Sequence, residues 1–181
     1  MKRTIISVSL IIVGALLGLQ STALAQRAPR VRASLNASVT QRLGIDTDIT
    51  ITYCRPGVKG RVIWGDLVPY DKIWRAGANE NTTIEFNNDL VIEGKTLPAG
   101  KYGFWLRPTE SNWTVIFNNT NDVWGLSFNA ETVALEVTVT PVKVPHKEWL
   151  EYGFEDLAGT SATAYLHWEE LKIPFKIQLA E

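Results

Sequence analysis

The chain of 181 residues has one cysteine, Cys54, and two histidines. Beyond Leu19 it has no long apolar run. A single cysteine excludes an intramolecular disulfide, so the fold must rest on packing. Cys54 lacks a neighbour that would favour a thiolate, because Arg55, next to it on an extended strand, points to the opposite side. His146 and His167 have no second histidine two or four residues away, so spacing supports no metal site. There is no Gly-x-Ser-x-Gly elbow, phosphate loop or dinucleotide fingerprint, and nothing implies a cofactor. The paired carboxylates Glu169 and Glu170 would face opposite sides of a strand, a poor geometry for an acid and base working together. Charge of one sign is missing too: 18 cations stand against 19 acids. No global attraction for nucleic acid or an anionic membrane follows, and any anion site must be local.

What is present begins with a leader pattern. Lys2 and Arg3 precede an apolar run from Ile5 to Leu19, and Ala23-Leu24-Ala25 places small residues where a signal peptidase reads. Cleavage after Ala25 is the expectation, with export to the periplasm or beyond. At ~1.5 Å per residue the run covers roughly 22 Å, short of the ~30 Å hydrocarbon core, so a membrane span in the mature form is not expected. No cysteine sits at the cleavage point to carry a lipid. Gln26 to Ser34 reads as a flexible lead-in, and residues 35–181 have the length of one domain.

Period-two alternation dominates that domain. Ile49, Ile51 and Tyr53 share a face; so do Ile84 and Phe86; Tyr102, Phe104 and Leu106; Trp113, Val115 and Phe117; Val133, Leu135, Val137 and Val139; and Leu171, Ile173, Phe175, Ile177 and Leu179. Turn chemistry separates them at Asn87-Asn88-Asp89, Glu93-Gly94-Lys95, Pro98-Ala99-Gly100, Glu110-Ser111-Asn112, Asn118 to Asp122 and Ala158-Gly159. The expected fold class is all-β, an antiparallel, jelly-roll-like β-sandwich. A short helix or 3₁₀ turn is expected around Val68 to Trp74, where Pro69 suits a first turn.

The densest chemistry lies between Tyr53 and Glu80. Pro56 lacks a ladder donor and Gly57 and Gly60 accept unusual φ, so strand Ile49 to Tyr53 should end in a shaped loop presenting Arg55, Lys59 and Arg61. An arginine fork there can grip a carboxylate, sulfate or phosphate, or can pair with Asp66, Asp71 or Glu80 to pin the loop. Trp64, Tyr70 and Trp74 are irregularly spaced and serve either as core plugs or as stacking surfaces. Trp74-Arg75-Ala76-Gly77-Ala78-Asn79-Glu80 combines small residues with a cation, an amide and a carboxylate, a constellation for recognition or a self-satisfied polar network. The candidate ligand-binding residues are Arg55, Lys59, Trp74, Arg75, Asn79 and Glu80.

RPGVKGR, WGDLVPYDKIWRAGANENTTIEF, GKTLPAGKYGFW, WTVIFN and WG resemble domain-of-unknown-function family 2911 over roughly Leu35 to Leu179. The resemblance implies an exported all-β domain of Gram-negative bacteria of the Bacteroidetes type, with no established activity. Its motif positions here are Arg55, Pro56, Lys59, Gly60, Arg61, Gly65, Pro69, Tyr70, Trp74, Arg75, Gly77, Asn79 and Glu80. Asp71 departs from a frequent glycine and Glu136 from a frequent arginine, which speaks against an anion site using position 136.

Three functions compete at this level. One is a binding module for a small polar or anionic ligand or a glycan, without nucleic-acid partners. Another is a carbohydrate-active hydrolase or lyase with Glu80 or Asp66 as general base and Arg75 stabilising negative charge. The third is a structural or interaction domain in which the polar block braces the sandwich.

Overall fold

In the computed structural model, residues 31–180 are described, and the expected signal peptide and the start of the lead-in lie outside them. The alternating segments form two antiparallel sheets. The larger has the order β1-β2-β3-β6-β7-β8, with β1 at Leu35–Leu43, β2 at Thr47–Arg55, β3 at Thr83–Phe86, β6 at Gly100–Pro108, β7 at Trp113–Asn118 and β8 at Val133–Val139. The smaller has the order β5-β4-β10-β9, from β4 (Leu90–Ile92), β5 (Lys95–Leu97), β9 (Val142–Glu155) and β10 (Ser161–Leu179). All the strands read from alternation are there, in the expected all-β antiparallel sandwich. Strands β1, β4, β5 and β9 are added to them.

The faces predicted to be apolar meet between the sheets. Ile49, Ile51, Ile84, Phe104, Val115 and Phe117 come from the larger sheet and Leu166, Trp168, Ile173, Phe175 and Ile177 from β10, all at 2% exposure or less. Phe104 sits at the middle, with Phe117, Tyr152 and Phe175 at ring separations of 5.5–5.8 Å. Gly103 and Trp105, on the other face of β6, are covered as well. The segment between β7 and β8 folds back over them, with Asn121 Nδ2 donating to Lys101 O (2.8 Å) and Phe128 5.3 Å from Trp105. A 3₁₀ turn at Ala130–Thr132 returns the chain to β8.

The long connection from Pro56 to Thr82 leaves the sandwich and is held at its end. Contrary to the expected short helix, Val68 to Trp74 is built from turns and isolated bridges. The reason is local: Asp71 has φ +60°, which breaks a right-handed helix in its first turns, and its N–H is taken by Pro108 O (2.8 Å). Aspartate tolerates that φ better than most side chains. Trp74 N and O both bond Leu106, tying the connection to β6. Pro56 and Val58 bond Leu150 and Glu148, tying its start to β9.

Four indoles complete the attachment. Trp64 packs edge-on against Trp74 (5.8 Å), Trp113 of β7 (4.9 Å) and Trp168 of β10 (5.8 Å), and Trp74 stacks on Trp168 at 5.9 Å and 19°. Trp168 turns inward in alternation with Ala164 and Leu166, and a bulge at Glu169, with φ +55° and register shifts on both sides of it, lets Ile173, Phe175 and Ile177 face inward after it. Replacing the central Phe104 with alanine should lower the unfolding free energy by ~3–5 kcal/mol. Urea denaturation will read this as a lower midpoint at an unchanged slope.

Candidate functional site

The connection, the segment before β1 and the loop after β7 enclose a cleft of about 450 Å³. Of the six residues expected to bind a ligand, Lys59, Trp74, Arg75 and Asn79 line it, and Arg55 and Glu80 do not. Arg61 and Lys72 line it as well, giving four cations, and no aspartate or glutamate is in the lining. Among the described residues none of the four forms an ion pair. A depression at the other end of the molecule is unlike it, since its Lys172 is held by both oxygens of Glu155 at 2.7 and 2.9 Å.

Arg75 is the least usual of the four. It is partly buried, its Nε is sealed from solvent without an acceptor, and desolvation lowers its pKa from the usual arginine value. Gly125 explains how the Cδ–Nε stem is covered, while the two Nη groups are not sealed and have no partner among the described residues. A β-carbon there would collide with Arg75 Cδ and stand 2.6 Å from Asn79 O, so only glycine lets the loop lie this close. Arg61 is held differently, donating through Nε to Val58 O and through Nη2 to Gly57 O. Those neutral partners fix its position and leave its charge uncompensated. Lys59 has φ +51°, and its N–H donates to Glu148 Oε1 (2.9 Å), leaving its ammonium 5.5 Å from the Trp149 ring centroid.

Glu80 belongs to a separate brace. Arg32 Nη1 reaches both its oxygens (2.6 and 2.8 Å), which holds the carboxyl below its ordinary pKa. The buried Cys54 thiol donates to Asn36 Oδ1 (2.8 Å) and Glu80 Oε2 (3.3 Å), and burial pushes that thiol up, so the cysteine acts as a structural group. Asn79 Nδ2 donates to Ser34 O (3.2 Å). Residues 32 and 34, expected in the flexible lead-in, are therefore both engaged. Asn79 and Glu80 thus both hold this segment, and of the two only Asn79, with φ +58°, also lines the cleft. The small residues nearby act as anticipated: a β-carbon on Gly77 would meet Thr82 Oγ1 at 2.8 Å and Cys54 O at 3.2 Å.

Arg55 lies across the Pro56–Arg61 loop from the cleft. Its Nε donates to Leu150 O (2.9 Å) and its Nη2 lies 3.4 Å from Glu151, in a trough shared with Leu35 and Trp149. Neither carboxylate considered as a general base faces the cleft, since Glu80 is bound to Arg32 and Asp66 is outside the lining. Glu136 sits 3.8 Å from Arg107, also outside it. The histidines lie apart, His146 beside Glu148 and His167 facing Pro145 O.

The sequence reading left out Lys72, Leu126 and Trp168 as site residues. Leu126 follows the Trp124-Gly125 pair already noted in the motif, a signal that this loop approaches the site. Trp168 was marked only by the acidic pair after it, which interrupts the apolar alternation.

The family model described as "Protein of unknown function (DUF2911)" matches residues 34–177. Neither the curated proteins nor the solved structures gave a match.

The brace predicts a pH dependence. A carboxyl whose folded pKa is lowered stabilises the fold above its unfolded pKa and stops doing so as pH falls through the folded value. The melting temperature of wild type should therefore exceed that of Arg32→Ala near neutrality. The gap should close as pH drops below the ordinary carboxylate range, and calorimetry from pH 7 to 3 measures it.

Proposed function

The chain belongs to domain-of-unknown-function family 2911, and from its cleft we propose that it is an exported binding module for a small anionic ligand. The observation that carries this reading is Arg75, a partly buried cation with neither carboxylate nor acceptor in a cleft holding three further cations. Withdrawing an unpaired charge from water is unfavourable, and a bound anion supplies what the protein withholds. A pure brace would have been closed by an acid, as Arg32 is by Glu80.

Two further features support a binding role. Lys59, in the lining, holds a left-handed φ of +51° that strains a non-glycine residue by ~1–2 kcal/mol, and Asn79 beside it holds φ +58°, which asparagine accepts more readily. Such strain persists where surrounding contacts fix a geometry, and it clusters at ligand sites. The cleft volume also lies within the range of ~300–1,000 Å³ common to small-molecule sites, and what sets it apart from the Lys172 depression of about 490 Å³ is a lining with four cations and no acid. Sugar stacking has less support, since the exposed indoles Trp124 and Trp149 are not in the lining, Trp168 is 1% exposed, and Trp74, the partly buried indole of the lining, has one face stacked on Trp168. Export rests on the leader pattern of residues 1–25.

A thermal-shift and calorimetric panel of phosphate, sulfate, dicarboxylates and neutral sugars tests the reading. Multivalent anions should stabilise and bind, more weakly as ionic strength rises, and neutral sugars should not. Arg75→Gln should weaken anion binding by roughly 10- to 100-fold, the equivalent of losing a hydrogen bond to a charged group at ~1.5–3 kcal/mol. It should not lower stability, because no internal partner is lost. A stability loss with anion binding unchanged would make Arg75 a brace and end the proposal.

A further inference from the structure

Resting on that anion-binding reading, we propose that the ligand is an amphiphile, with its anionic head held by Arg75 and Lys72 and an apolar chain laid across Leu67 and Leu126. Both leucines line the same cleft as the cations, and they are 43% and 74% exposed. Each has an apolar companion on its own loop. Leu67 N bonds Val62 O (3.3 Å), and Val62 is 66% exposed; Trp124, two residues before Leu126, is 56% exposed.

Single exposed leucines are ordinary on a protein surface. Two within one concave, cation-lined cleft, each with an exposed apolar neighbour, make a rim that a small hydrophilic anion would leave wet. Grooves where apolar residues are edged by charge are where amphiphilic ligands bury area. Neither loop can easily draw its leucine inward. On the connection Ile63, Val68 and Ala76 already occupy buried positions at 2%, 1% and 0% exposure, and Gly125 is pressed on Arg75. The apolar surface is thus presented outward next to the uncompensated charge. Head and chain are recognised by neighbouring residues, Arg75 against Gly125 and Leu126 after it.

The test is isothermal titration with inorganic phosphate and a series of monoalkyl phosphates from butyl to decyl, each below its micelle concentration. Affinity should rise about fourfold per methylene until the chain outgrows the rim, the equivalent of ~0.8 kcal/mol per buried CH₂. Leu67→Asn with Leu126→Asn should flatten that dependence, and both positions are exposed enough for the fold to accept the change, which far-UV circular dichroism will check. Equal affinity along the series would overturn the amphiphile and leave the anion reading standing. Binding of neither phosphate nor any alkyl phosphate would overturn the amphiphile assignment, and the anion reading would fall with it where sulfate and the dicarboxylates also fail to bind. A chain-length gain that survives in the double variant would place the tail elsewhere and overturn the assignment. Binding to phosphatidylglycerol vesicles without binding of monomeric alkyl phosphates would mean surface adsorption, and would overturn it as well.

Discussion

The four-indole cluster is the contact on which the functional end of this molecule depends. The residues from Pro56 to Thr82 contribute no strand to either sheet, and a connection of such length is ordinarily mobile or functional. Here Trp64 and Trp74 from the connection meet Trp113 from the larger sheet and Trp168 from the smaller one. Trp113 and Trp168 are fully buried and Trp64 and Trp74 partly so. A fully buried indole removes ~150–250 Å² from water, worth up to ~4–6 kcal/mol at ~25 cal/mol/Å² before entropy is subtracted, and each indole of the connection contributes a part of that. That is enough to hold a segment without regular secondary structure. The bridge from Trp74 to Leu106 then sets its position along β6, and the cleft follows from where Trp74 comes to rest.

Polar contacts divide the motif block into parts that brace and parts that face outward. Arg32, Cys54 and Glu80 close on each other beside β1, and Arg55 closes on Leu150 and Glu151. Both groups satisfy their charges internally. Arg61 is fixed by carbonyls alone, and Arg75 has its stem covered at Gly125 with no acid to neutralise its charge. Placing uncompensated cations together is unfavourable by itself.

Much of the fold was legible because alternation is a direct image of a half-buried sheet. Strands β2, β3, β6, β7, β8 and the second half of β10 show it plainly. The missed strands are those whose burial is weak or brief. β1 is an edge strand with only Leu43 fully buried, β4 and β5 are three residues each, and the first half of β9 is largely exposed. The site was legible in its region and less so in its members. Left-handed residues at 59, 71, 76 and 79 reverse the chain repeatedly, and of the sequence neighbours Asn79 and Glu80 only Asn79 lines the cleft. Lys72 was visible as a charge, but its convergence with Lys59, Arg61 and Arg75 arises from the folding of the loop. A net charge of −1 hides such a cluster completely, because an average over the chain carries no spatial information.

The cleft draws its walls from residues as distant in the chain as Ser34, Lys59, Arg75, Leu126 and Trp168. No contiguous fragment contains it, and it comes into being only when both sheets and the connection between them are in place. Occupancy is therefore linked to the whole folding equilibrium, and a bound ligand would stabilise every strand together, by RT ln(1 + [L]/Kd). A protein built this way would resist proteolysis better when loaded than when empty. In a compartment where damaged chains are cleared, its abundance would follow the supply of what it binds.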